Sequence, residues 1–175
     1  MTKIPKHYYS WQDIENMCVN IVTQMYNSNW RPDYIVGITR GGNVPATIIS
    51  NMTGIRCETL KVSFRDDDTM SESNSWMAED AVGYIGTDTD DHKKNILIVD
   101  DINDTGNTFN WIKQDWENEF PGSDFNSVWN YNVRFAVLTE NLSSSFHFVD
   151  YYSHDVNKSE EDVWLIYPWE NVGEY

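Results

Sequence analysis

Basic residues are scarce in this chain. Its 175 residues carry twelve Lys and Arg against 28 Asp and Glu, a net charge of −16. Such a surface is repelled at long range by nucleic acid and by anionic membranes, and a nucleic-acid binder needs a basic face. Cysteine is nearly absent. Cys18 and Cys57 give no disulfide framework and read as buried thiols in a reducing cytosol. Histidine is limited to His7, His92, His147 and His154, none spaced with a cysteine as a zinc site requires. No apolar run approaches the roughly 20 residues of a membrane span. The start, Met1-Thr-Lys-Ile-Pro-Lys6, lacks the apolar stretch of a secretory signal. The expectation is a cytoplasmic protein with no membrane and no nucleic-acid partner.

What is present is a core. Hydrophobic residues make up 40% of the chain and aromatics 14%, which suits one compact domain over residues 1–175. Trp11, Ile14, Cys18, Ile21, Val22 and Met25 recur at helical spacing, so residues 11–27 are predicted as a helix opened by Ser10 and Asp13. Tyr34–Ile38 is a short buried strand, Thr39–Asn43 a turn, and 44–53 a helix stopped by Gly54. Cys57–Phe64, Ile96–Val99, Val133–Leu138, Phe146–Tyr152 and Val163–Tyr167 read as further strands, and Thr105–Glu119 as a helix. Residues 65–94 are polar and acidic, and Trp76, Met77 and Ala81 there suit one short helical turn. A connection of that length in a compact domain is functional or mobile. Strands alternating with helices predict an α/β fold with a mainly parallel, twisted sheet flanked by helices.

The chemistry concentrates at residues 96–108. An apolar strand delivers Asp100 and Asp101 to its C-terminal end, where ligands bind in open α/β sheets. Asp104 follows, then Thr105-Gly-Asn-Thr108 leading into a helix. Successive N–H groups at a helix start cradle a phosphate, and the two Thr hydroxyls add donors. Carboxylates beside an anion cradle suit a sugar phosphate with Mg²⁺. Backbone dipoles and a metal outweigh the distant charge, which salt screens over roughly 8 Å. Two other readings stand beside this one. Paired acids after a strand also occur in phospho-acceptor folds, and Asp104-Thr-Gly can be plain helix capping.

Val99-Asp-Asp-Ile-Asn-Asp-Thr-Gly-Asn-Thr108 resembles the 5-phosphoribosyl-1-pyrophosphate (PRPP) motif of type I phosphoribosyltransferases. Ile38-Thr-Arg-Gly-Gly-Asn-Val-Pro45 resembles their pyrophosphate loop. Trp164-Leu-Ile-Tyr-Pro-Trp-Glu170 resembles the C-terminal hood of the xanthine/guanine/hypoxanthine enzymes. The resemblance spans residues 34–170. It implies Mg²⁺-dependent transfer of phosphoribosyl from PRPP to a purine or purine-like base, with release of pyrophosphate, in nucleotide salvage. It also implies a flexible loop at about 65–94 and a small hood at about 140–175 with an N-terminal contribution.

By the same resemblance, Asp100 and Asp101 meet the ribose and the Mg²⁺ shell. Asp104, Thr105, Gly106, Asn107 and Thr108 hold the 5-phosphate, and Asp104 is also the catalytic group that manages the purine proton. Thr39, Arg40, Gly41 and Arg65 hold pyrophosphate, with help from the Asn43 N–H, and Thr39–Arg40 is a candidate cis peptide. Trp164, Leu165 and Asn141 neighbour the base. The family's lysine after the strand at 133–138 is missing here, and Asn141 is the nearest match. Plain core or edge packing is the alternative for the 164–170 segment. The acid runs at 66–68 and 88–91 are read as solvated loop. The Trp and Tyr clusters at 8–11 and 129–131 suit packing or a homo-oligomer interface, in a dimer or tetramer. A non-catalytic PRPP- or nucleotide-binding regulatory module on the same fold is the alternative function. A PRPP synthetase is longer and needs an ATP site, for which no segment is visible.

Overall fold

The computed structural model describes residues 3–62, 75–83 and 92–170. In chain order these form β1 (Lys6–Tyr8), α1 (Trp11–Asn27), β2 (Tyr34–Ile38), α2 (Asn43–Thr53), β3 (Cys57–Leu60), α3 (Ser75–Val82), β4 (Ile96–Asn103), α4 (Asn107–Glu119), β5 (Val133–Asn141), β6 (Tyr151–Val156) and β7 (Trp164–Ile166). Five strands make one sheet in the order β3-β2-β4-β5-β6, and every pairing is parallel. The α/β expectation holds.

A parallel sheet needs cover on both faces, and strand alternation provides for it. Tyr34, Val36, Ile96, Ile98, Phe135 and Val137 point to one face. There they pack with Met77, Ala78 and Ala81 of α3 and with Phe109, Ile112 and Trp116 of α4. Ile35, Leu97, Val99, Ala136 and Leu138 point to the other face, against Ile14, Cys18, Ile21 and Met25 of α1 and Ala46 and Ile49 of α2. Gly37 is small because α2 lies on it: a Cβ there would sit 2.7 Å from Asn43 Oδ1 and 2.9 Å from Ala46 Cβ.

Helix α1 begins where the sequence says. Ser10 and Asp13 form a reciprocal capping box, with N–H to oxygen distances of 2.7 and 3.1 Å. Helix α2 ends at Gly54, whose φ of +74° is left-handed. Where one short helical turn was expected within the long loop, the fold has a core helix, α3, with four buried residues, Met77, Ala78, Asp80 and Ala81. Arg65 and the rest of that expected loop lie outside the described residues, apart from Gly83 and residues 92–94.

Some strand bounds differ from expectation, and β3 stops at Leu60. Residues 146–150 are not a strand; β6 starts at Tyr151 and runs to Val156. Phe146 is nonetheless buried, packed on Phe109 and Phe135 at ring distances of 5.1 and 4.9 Å, which is why it reads as strand-like. Strand β4 continues past Val99 through Asp100, Asp101 and Ile102 to Asn103. Strand β7 lies outside the main sheet. It pairs in parallel with β1, an element the periodicity did not mark, with Lys6 opposite Trp164 and Tyr8 opposite Ile166.

The topology fixes where a ligand fits. From β2 the chain crosses to β3 on one side, and from β4 it crosses to β5 on the other. The order therefore reverses between β2 and β4, and the crevice at their C-terminal ends is a switch point.

Candidate active site

The 39–42 turn after β2 and the 100–106 segment at the end of β4 meet at that crevice. Their contact is close enough to demand glycine. A Cβ on Gly41 would lie 2.3 Å from Asp101 Oδ2, and one on Gly42 would lie 2.3 Å from the Val99 carbonyl oxygen. The Thr39–Arg40 peptide is cis, as expected. Arg40 is exposed.

Asp100 and Asp101 are half-buried at the strand end. Each accepts a neighbouring N–H, Asp101 N donating to Asp100 Oδ1 and Ile102 N to Asp101 Oδ1, both at 2.9 Å. Burial raises the Asp100 carboxyl well above its ordinary range, and the Asp101 charge pushes the same way. Burial also raises Asp101, with Glu170 adding to it and the hydrogen bonds it accepts opposing. Two crowded carboxylates of this kind favour a proton or a cation.

Two cavities flank Asp101. One, about 240 Å³, is lined by Asp100, Asp101, Asp104, Thr105, Gly106 and Thr108. Gly106 shapes it. Its φ is +89°, and a Cβ would strike Phe146 N at 2.5 Å and Ser145 Oγ at 2.6 Å. The N-cap of α4 is Gly106, which has no capping side chain; Thr105 Oγ1 accepts only the Asn107 N–H, at 3.3 Å, so the helix start keeps its anion-binding character. The other cavity, about 780 Å³, is lined by Arg40, Gly41, Val44, Asp101, Trp164, Trp169 and Glu170. The crevice thus joins the two sequence segments to the C-terminal one.

A buried network holds the smaller cavity's loop. Asn103 Nδ2 donates to Glu140 Oε1 at 2.9 Å and to the Phe146 carbonyl at 2.9 Å. Ser144 Oγ donates to Asn103 Oδ1 at 2.9 Å. Ser145 N and Oγ both donate to the Thr105 carbonyl, at 3.0 and 2.7 Å. Burial pushes the Glu140 carboxyl up to about 7, against the hydrogen bond from Asn103.

Asn141 does not stand free at the site. It is 5% exposed and its amide is engaged. Nδ2 donates to the Asp104 carbonyl at 2.8 Å, while Oδ1 accepts from Ser143 N, Ser143 Oγ and Lys158 N. Leu165 is buried in the core with Tyr9 and Tyr167 and lines a third cavity, not the crevice that Trp164 lines. Trp164 itself is 57% exposed, with Lys6 Nζ 4.9 Å above its ring.

Lys158 was missed. Its Nζ lies 3.0 Å from Asp104 Oδ1 and 3.1 Å from Oδ2. Placing β6 five residues early put Lys158 in an unread gap. With β6 ending at Val156, it is the first basic residue after that strand, at the same sheet end as Asp104. A search for a cation after every strand, rather than after β5 alone, would have found it.

The family model for the phosphoribosyl transferase domain matches residues 6–154. The chain belongs to the phosphoribosyl transferase family. Within it, this phosphoribosyltransferase is of type I and related to the xanthine and hypoxanthine-guanine enzymes. It is 30% identical over 155 residues to a xanthine-guanine phosphoribosyltransferase of Cereibacter sphaeroides, covering 85% of this chain and 74% of the relative. It is 23% identical over 198 residues to xanthine phosphoribosyltransferase 1 of Saccharomyces cerevisiae, covering 97% and 92%. Its fold matches a purine phosphoribosyltransferase from Pyrococcus horikoshii with a TM-score of 0.64 at 22% identity, over 98% of each chain. Among the described residues, no helix is long and apolar enough to cross a membrane.

Proposed function

We propose that this phosphoribosyltransferase transfers the phosphoribosyl group of PRPP to an oxopurine, with Mg²⁺, as a salvage step in the cytoplasm. The observation that carries the reading is the meeting of two unlike cavities at Asp101. One has the donors for a phosphate, and the other brings Arg40 and Gly41 together with an aromatic wall. PRPP is a ribose with a phosphate at one end and pyrophosphate at the other, so it fits across both. The relatives are named for xanthine and guanine, which supports a purine acceptor.

Thr105, Gly106, Asn107 and Thr108 bind the 5-phosphate through the helix start. Asp100 and Asp101 bind the ribose hydroxyls. Thr39, Arg40 and Gly41 bind pyrophosphate, and Arg65 is proposed to join them. Trp164 covers the base, and Leu165 contributes main chain alone. Two half-buried carboxylates whose proton affinity is raised by burial are hard oxygen donors suited to Mg²⁺. Bound there with water and ligand oxygens, Mg²⁺ would neutralise charge on the departing pyrophosphate.

In the reaction a base nitrogen forms its bond to ribose C1 as the C1–O bond to pyrophosphate breaks. The carboxylate of Asp104 takes the proton the base sheds. Lys158 supplies the cation the sequence seemed to lack. It reads the oxo substituent of the base from beside Asp104, while Asn141 holds that pair by its main-chain contacts. Positioning and charge stabilisation account for the rate. The chain is read as a single domain whose β1–β7 hood overlies the crevice, and exposed Tyr8, Trp11, Tyr131 and Phe148 suit a homo-oligomer.

Calorimetric titration with PRPP and Mg²⁺ tests the reading. Binding by the wild type, lost in Asp100→Asn with Asp101→Asn, is expected. No binding by a folded wild type refutes both this reading and the regulatory alternative. Binding with no turnover on any base selects the regulatory one.

A further inference from the structure

The turn that follows β5 packs against the loop before α4. Asn103 Nδ2, at the end of β4, donates to the Phe146 carbonyl at 2.9 Å, and Ser144 Oγ donates to Asn103 Oδ1 at 2.9 Å. The buried Asn103 amide thus ties residues 144–146 to the strand that carries Asp100 and Asp101. Gly106 closes on the same turn. A Cβ there would meet Phe146 N at 2.5 Å, Ser145 Oγ at 2.6 Å and Ser144 Oγ at 2.8 Å. The cavity lies on the other side of the loop: Thr105 and Gly106 line the space of about 240 Å³, and residues 144–146 do not.

One peptide of this loop is held by two donors. Ser145 N and Ser145 Oγ both donate to the Thr105 carbonyl oxygen, at 3.0 and 2.7 Å. A carbonyl only accepts, so the hydroxyl proton is committed to it. The hydroxyl oxygen in turn accepts from Asn110 Nδ2 of α4 at 3.2 Å. A trans peptide sets its N–H antiparallel to its C=O, and the Thr105–Gly106 peptide is trans. With the Thr105 carbonyl drawn to the turn, the Gly106 N–H points away from it, to the cavity side. Among the described residues nothing accepts that N–H. Glycine tolerates many backbone conformations, so Gly106 does not hold this peptide plane by itself. The two donors of Ser145 do.

We propose that Ser145 is a positioning residue for the substrate's phosphate: its hydroxyl, steadied by Asn110, fixes the Thr105–Gly106 peptide with the N–H aimed at the 5-phosphate. This rests on the reading of residues 105–108 as the phosphate site. Ser145 does not line the cavity, so it acts through the peptide. It is exposed, so truncating it opens no core. An N–H bond to a charged phosphate is stronger than a neutral one, and its strength depends on aim.

Two measurements test this. The first needs no ligand. A donor on a carbonyl deshields the amide nitrogen that follows. In ¹H–¹⁵N spectra of the whole protein, the Gly106 nitrogen is expected to move upfield in Ser145→Ala. It is expected to return in Ser145→Thr, which keeps the hydroxyl. One position in all three proteins overturns the pinning. The second compares two partial ligands by calorimetry: ribose 5-phosphate, which carries the 5-phosphate alone, and pyrophosphate with Mg²⁺. Ser145→Ala is expected to weaken ribose 5-phosphate by roughly 2- to 12-fold, the contribution of one neutral hydrogen bond. Pyrophosphate is expected to bind as before, and Ser145→Thr to bind ribose 5-phosphate like the wild type. A loss shared by both ligands shows general loosening and overturns the positioning role. No loss in Ser145→Ala, or an equal loss in Ser145→Thr, overturns it too. A folded wild type that binds neither PRPP nor ribose 5-phosphate refutes the phosphate-site reading instead, and leaves the NMR result to decide the peptide.

Discussion

Replacing Lys158 by Met removes one charge and keeps most of the volume. Structure limits what this costs the fold. The Lys158–Asp104 pair is 3.0 Å long, but the two side chains are 21% and 44% exposed, so the ion pair contributes about 1 kcal/mol or less. For a chain of 175 residues that corresponds to a drop in Tm of roughly 2–4 °C. The effect on catalysis is expected to be larger and selective. A hydrogen bond from a charged donor to the base oxygen is worth about 1.5–3 kcal/mol, which is roughly 10- to 160-fold in kcat/KM. The assay is initial-rate kinetics with xanthine, guanine and hypoxanthine beside adenine, at saturating PRPP. The oxo bases are expected to lose that factor and adenine to lose little. Equal losses for oxo and amino bases would show that Lys158 serves Asp104 alone. No loss for any base would remove it from the site.

Glu140 should make the ligand-free fold sensitive to pH. Its folded carboxyl sits at about 7, above its ordinary 4.5, so its stabilising share is complete below about pH 4.5. That share is lost as pH rises to about 7, and is constant above it, a change on the order of 3 kcal/mol. Glu140→Gln, followed by urea unfolding across pH 4–8, is expected to flatten that slope. Gly106→Ala forces a side chain into a left-handed φ of +89° and against Phe146 N at 2.5 Å. It is expected to lower stability by about 1–3 kcal/mol in chemical denaturation and to weaken PRPP binding. Asp104→Asn is expected to slow turnover by roughly 10²- to 10⁴-fold while leaving the Kd for PRPP nearly unchanged; a matching loss of PRPP binding would reassign it to phosphate binding.

The parts legible in the sequence were those with strong local periodicity or motif chemistry. Helix α1 has its full apolar stripe and a capping box, and the buried β2 and the first half of β4 are continuous apolar runs. The segments 38–45, 99–108 and 164–170 were visible because each carries an unusual combination of residues, and the fold brings all three to one crevice. Other features were hidden for physical reasons. Strand β6 is a half-exposed edge, Tyr-Tyr-Ser-His-Asp-Val, while Phe146 fills the core without pairing as a strand. Strand β1 has three exposed residues and exists because β7 pairs with it. Asn141 was placed beside the base because a motif position looked vacant; its burial and hydrogen bonds bind it to Asp104 and Lys158. Lys158 reaches Asp104 across 54 residues of sequence, a juxtaposition that no local pattern encodes.

The most direct measurement is transfer itself. The wild-type chain is incubated with PRPP, Mg²⁺ and each of a panel of purine and pyrimidine bases, and pyrophosphate and nucleotide are quantified together. Stoichiometric formation of both with an oxopurine is expected, abolished by chelating the metal. Tight PRPP binding with no nucleotide from any base would contradict it.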